Sequence, residues 1–133
     1  MALAAAPTPP FETSPEAAVA VVRHYYAALD AHDYRTAWRL WSGGQRYGAF
    51  RRGYARTAWT RVTPVPPFAA DGAAGSIYSQ VRVRVDAALI DGTRQRFVGS
   101  YTLRRVNDVE GSTPDQRRWH IEAANLKAVP AGR

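Results

Sequence analysis

The stretch from residue 78 to 105 constrains the fold more than any other part of the chain, because it reads as a long two-stranded ribbon with two unlike faces. Val81, Val83 and Val85 alternate with Arg82, Arg84 and Asp86, the period of two expected of a half-buried strand. Phe97, Gly99, Tyr101 and Leu103 then share one parity, and Arg96, Val98, Ser100, Thr102 and Arg104 share the other. Asp91-Gly92 marks the turn. A two-residue loop there would set Val83 against Ser100 and Arg82 against Tyr101, mixing apolar and charged side chains on both faces. A three-residue loop, Ile90-Asp91-Gly92 with the glycine left-handed in a bulge, instead pairs Val81 with Tyr101, Val83 with Gly99 and Val85 with Phe97. One face becomes apolar throughout. The other becomes basic, with Asp86 opposite Arg96 as a cross-strand ion pair.

Upstream, Ser14-Pro15-Glu16 gives a hydroxyl cap, a proline at the first helical position and an acid in the positive first turn. Ala18, Val21, Val22, Tyr25 and Leu29 follow at helical spacing, so this helix buries one stripe and ends near Asp30-Ala31-His32. Asp33 caps a shorter helix carrying Tyr34, Ala37, Trp38 and Trp41, which Ser42-Gly43-Gly44 stops. Tyr47, Phe50 and Tyr54 suggest a third short helix, weakened by Gly48 and Gly53. Residues 58–65 alternate as a strand that Pro64, Pro66 and Pro67 either confine to an edge or end early. Residues 69–75 read as a loop, and a last strand over about 117–127 places Trp119, Ile121 and Ala123 inward, with Arg118, His120 and Glu122 outward.

These elements give residues 1–13 as a disordered segment or linker, 14–129 as one α+β domain and 130–133 as a tail. The domain is expected to pack its N-terminal helices on a curved antiparallel sheet of about four strands. The order of elements resembles the NTF2-like superfamily, the cystatin-like α+β cone. The resemblance rests on residues 17–29 with the paired Tyr25-Tyr26, on residues 33–38, on 50–54 before the first strand, on the ribbon, and on Trp119-His120-Ile121. It implies a cone with a pocket inside. The superfamily includes isomerases, dehydratases, hydrolases, transport factors and small exported domains, so fold alone does not choose a function. No catalytic motif of the family matches this chain residue by residue, and no catalytic position is carried over.

Acid/base catalysis in such a pocket needs a titratable group with a pKa near neutrality. The inward set contains tyrosines and no Asp, Glu or His, so the expected role is binding of a small apolar ligand or a protein partner. The alternative is a small-molecule enzyme of isomerase, dehydratase or hydrolase type acting in the pocket. Tyr25, Trp38, Tyr54, Tyr101, Trp119 and Asn125 are the pocket candidates, offering apolar walls with a few orienting polar groups. The three histidines match no metal motif in spacing, and the chain has no cysteine. No metal or other cofactor is therefore expected.

The formal charge of +7 comes almost wholly from arginine, Lys127 being the single lysine. Arg82, Arg84, Arg96, Arg104 and Arg118 form the candidate surface for an anionic partner. Single-strand binding pairs such charge with aromatic platforms, and the reading places the aromatics on the opposite side, which disfavours nucleic acid. Self-association through the same face would bring like charges together, so a monomer, or a dimer using another surface, is expected. No membrane span is expected. The first ten residues, MALAAAPTPP, look like the remnant of a processed signal followed by a Pro/Thr spacer, which points to export, with a cytoplasmic terminus as the other reading.

Overall fold

The computed structural model describes residues 10–131. Three helices precede a curved, open antiparallel sheet of five strands. Helix α1, Pro15–Asp30, starts where the cap signal predicts: the Ser14 hydroxyl accepts from the Ala17 N–H at 3.2 Å. It ends as the chain turns left-handed at His32. The carboxylate of Asp33 then caps α2, Tyr34–Arg39, accepting from the Thr36 N–H and hydroxyl. Helix α3, Tyr47–Gly53, tolerates both of its glycines and buries Phe50.

The strands are β1 (Thr57–Pro64), β2 (Asp71–Ala73), β3 (Ser76–Leu89), β4 (Arg94–Val106) and β5 (His120–Val129). Strands β1 and β2 both pair with β3 along one edge, while β4 and β5 follow on the other side. The fifth strand is the short β2, inside what the sequence reading leaves as a loop. Its three residues double back onto β3 through Ala74-Gly75, the glycine taking a left-handed φ of +76°. So short an element carries no periodicity to detect.

The central ribbon has the register that face-matching selects. Val81 pairs with Tyr101, Val83 with Gly99, Val85 with Phe97 and Asp86 with Arg96. The Leu89 N–H donates to the Thr93 carbonyl across a three-residue loop, with Gly92 at φ +90°. Strand β1 lies at the sheet edge, as its prolines require. Its Thr60 N–H donates to the Asp30 carboxylate at the end of α1, so the helix terminus covers part of the open edge.

Strand β5 departs from simple alternation. Leu103 pairs with Ile121 and Thr102 with Ala123, leaving Glu122 as an extra residue in a bulge. Beyond it every side chain of β5 exchanges faces. Ala123, expected inward, is exposed, and the inner positions become Ala124, Leu126 and Ala128, opposite Tyr101, Gly99 and Phe97.

The core lies between α1 and the inner sheet face. It contains Val22, Tyr25, Tyr26 and Leu29 from the helix, Phe50 from α3, and Val81, Val83, Val85, Tyr101, Leu103 and Ile121 from the strands. A 3-10 turn over Pro10–Thr13 falls within the stretch expected to be linker. The Glu12 carbonyl there accepts from Trp119 Nε1 at 2.9 Å and from Arg105 at 2.8 Å, which fastens this turn beside the domain. Residues 1–9, which carry nearly all of the export reading, lie outside those described.

Candidate functional site

Between the end of α1, α3 and the inner sheet face lies a cavity of about 370 Å³. Tyr26 comes from α1, Gly53 and Tyr54 from the end of α3, and Thr57 and Thr60 from β1. The floor is Val85, Ala87 and Leu89 of β3, Gln95, Phe97 and Tyr101 of β4, and Leu126 of β5. The β-ribbon supplies the floor because its odd-numbered residues all face the helices. Tyr26 reaches it from the Ala18–Val22–Tyr26 row of α1, one residue in every four. None of the lining side chains is an Asp, Glu, His, Lys or Arg.

Its polar groups are neutral and mostly spoken for. The Tyr26 and Tyr101 hydroxyls hydrogen-bond each other, and the Tyr54 hydroxyl bonds that of Tyr25 at 2.9 Å. Tyr25 stands behind this wall, its ring edge-on to Tyr26, Tyr101 and Trp41. Burial pushes the phenols of Tyr25, Tyr26, Tyr54 and Tyr101 above the ordinary tyrosine range, because the phenolate would lose its hydration. They remain neutral at physiological pH. Thr60 differs: it lines the cavity and is only 9% exposed, and its Oγ1, sealed from solvent, has no hydrogen-bond partner. Gln95, half-buried, adds an amide.

Of the six pocket candidates, the structure brings Tyr54 and Tyr101 to the cavity wall and Tyr25 directly behind it. Trp38 is turned away, its ring edge-on to Tyr47 and its Nε1 donating to the Gln45 carbonyl at 2.7 Å. Trp119 is buried on the Glu12 carbonyl. Asn125 is a correction: it pairs with Ser100 and lies exposed on the outer face, because the Glu122 bulge reverses the parity on which it was placed. Tyr26, Thr60, Gln95 and Leu126 line the cavity without being among the candidates. The i, i+4 row of α1 marks Tyr26 and the alternation of β1 marks Thr60, whereas Leu126 depends on the bulge and has no local signal.

Strand pairing places Arg82, Arg84, Arg96 and Arg104 on the outer sheet face. Arg96 Nε meets Asp86 at 2.8 Å and Arg84 Nε meets the same carboxylate at 3.4 Å. Arg118 precedes β5, exposed in a loop 3.6 Å from Asp115. The aromatics are not confined to the inner side, and that expectation is corrected. Trp59 pairs with Ala88 and Tyr78 with Arg104, so both lie on the arginine face. The guanidinium groups of Arg94 and Arg61 stand 5.5 and 5.9 Å from the Trp59 ring centre.

Asp30 is exposed and engaged with the Thr60 N–H, and Asp33 caps α2. Hydrogen bonding by Thr36 holds the Asp33 carboxyl below its usual range. Among the described residues, no three His, Cys, Asp or Glu side chains gather into a metal-ligating group, and no helix is long and apolar enough to cross a membrane.

No protein-family model matches this chain, and no curated protein matches its sequence. A solved structure does resemble it: the Kfla4162 protein from Kribbella flavida, with a TM-score of 0.63 and 16% identity over 91% of this chain and 94% of that one. At that identity the likeness concerns the fold alone.

Proposed function

We propose that this is a non-catalytic binding domain of the NTF2-like type, whose cavity takes a small, neutral, largely apolar molecule. The observation that carries the reading is the lining itself. Apolar and aromatic walls enclose about 370 Å³, no charged side chain enters it, and one buried hydroxyl, Thr60 Oγ1, lacks a partner. A buried polar group without a partner costs roughly 1–3 kcal/mol, a cost that a ligand's hydrogen-bonding group would relieve once the Thr60 side chain rotates toward the cavity. Charged ligands would lose hydration with nothing to replace it. The order of helices followed by a curved antiparallel sheet supports the NTF2-like assignment.

An enzyme of the same fold would require a base in the cavity. The lining offers only phenols that burial keeps protonated, which argues for binding over turnover.

Thr60→Val provides the test, since valine keeps the shape and strand preference of threonine. Calorimetric titration of neutral apolar fragments bearing one carbonyl or hydroxyl should give saturable binding that weakens about tenfold in the variant, the size of one lost hydrogen bond. Stability should stay equal or rise slightly. Equal affinity for carboxylate and neutral fragments, or affinity untouched by the substitution, would contradict the proposal.

A further inference from the structure

The outer sheet face has a second candidate site at its end nearest the β3–β4 turn. From Arg82 to Ala88, a run of about 20 Å along β3, the outward positions of four paired strands include Arg61, Arg82, Arg84, Arg94, Arg96 and Lys127. The single carboxylate among them is Asp86, already held by two of those arginines. Acidic residues gather toward the other end instead: Asp71 pairs with Tyr78 there, and Glu122 fills the bulge. Arg104, paired with Tyr78, also lies at that other end, so the half of the face that holds Trp59 carries the excess of positive charge rather than all of it. That half is indented, with a hollow of about 200 Å³ walled by Trp59, Arg61, Arg94, Arg96 and Asp86.

We infer that this half-face binds single-stranded nucleic acid, with a base stacking on Trp59 in place of a guanidinium and the arginines meeting the phosphates. The two ingredients of sequence-tolerant single-strand binding, cationic charge along the backbone path and an aromatic platform, are present on one surface. The parity of the ribbon alone separates them and so disfavours nucleic acid; the pairing of β1 with β3 puts Trp59 beside the arginines. Arginine suits both parts, because its guanidinium pairs with phosphate in a bidentate way and stacks on π-faces. Duplex DNA fits less well, since its bases are not available to stack on an indole.

Fluorescence anisotropy of a labelled oligothymidylate of about twelve nucleotides, within the usual range of single-strand site sizes, tests this on the full chain. Binding is expected at low salt, falling with a log–log slope of about −3 to −4 if four to six phosphates are contacted. Trp59→Ala should weaken binding about tenfold and Trp59→Phe much less, as loss of one stacking platform predicts. The charge reversals Arg61→Glu and Arg94→Glu, both at exposed positions, provide an independent check and should abolish binding with the melting temperature preserved. Heparin, which has charge but no bases, should compete poorly. No binding at low salt, binding indifferent to Trp59→Ala, or heparin competing as well as the oligonucleotide would each overturn the inference.

Discussion

On the inner side of β3 and β4, Val81, Val83, Val85, Phe97 and Tyr101 meet the helices; one residue further along each strand, Arg82, Arg84, Arg96 and Asp86 meet solvent. The backbone is common to both sets, and only the alternation of side chains distinguishes them. Apart from Arg105, held on the Glu12 carbonyl, polar groups inside are neutral, few and shielded, so each hydrogen bond there is worth more and each unpaired group costs more. Outside, charges are many, screened by salt and individually weak. Substitutions of similar chemistry should therefore act on stability inside and on association outside.

The largest effect is expected at Gly99, whose inner position opposite Val83 lets β5 approach closely. A Cβ there would sit 1.9 Å from the Asn125 carbonyl oxygen, so Gly99→Ala must displace the β5 backbone. A loss of about 3 kcal/mol or more is expected in chemical denaturation. A near-wild-type midpoint would show that β5 is held more loosely than the inner face requires.

Next come the linked hydroxyls. Tyr26→Phe or Tyr101→Phe alone should cost about 1–3 kcal/mol, because each strands the other hydroxyl in a buried setting. The double variant should cost clearly less than the two losses added together, a coupling that double-mutant denaturation reads directly. Additive losses would mean the hydroxyls do not act as a pair.

The same phenols set an alkaline limit. Their folded pKa values lie above the unfolded value of 10.0, so the folded state keeps protons that the unfolded chain releases. Their contribution is intact below about pH 10 and is lost as pH rises beyond it. Phenolate absorbance from these four tyrosines should appear together with unfolding. Their ionisation in a chain that keeps its far-UV circular dichroism would contradict the closed inner face.

At the outer face, Asp86→Ala should cost no more than about 1 kcal/mol, since Asp86 and its arginines are partly solvated. It should nonetheless raise affinity for anions by freeing two guanidinium groups. A large stability loss would place that ion pair inside the core's cooperative unit.

Most of this division can be read from the sequence, because alternation and helical spacing follow from steric rules that act within a few residues. The Ser14 and Asp33 caps, the three helices and the ribbon's register are all of that kind. The ribbon register was legible for a further reason: only one loop length sorts apolar from charged side chains. The remainder depends on tertiary contacts. Glu122 carries no mark of a bulge, yet it moves Asn125 out of the pocket set and brings Leu126 in. The pairing of β2 with β3 depends on a turn two residues long. Trp59 was visible in the alternation of β1 beside Arg61, but only the pairing of β1 with β3 puts them on the face that carries the ribbon's arginines.

The most direct measurement of the central claim is native mass spectrometry of the protein purified gently from its own source. The account predicts a stoichiometric extra mass from a neutral, mainly apolar molecule with a hydrogen-bonding group, reduced in Thr60→Val. A protein that carries no such apolar mass, or one whose apolar mass is unchanged in the Thr60 variant, would contradict it.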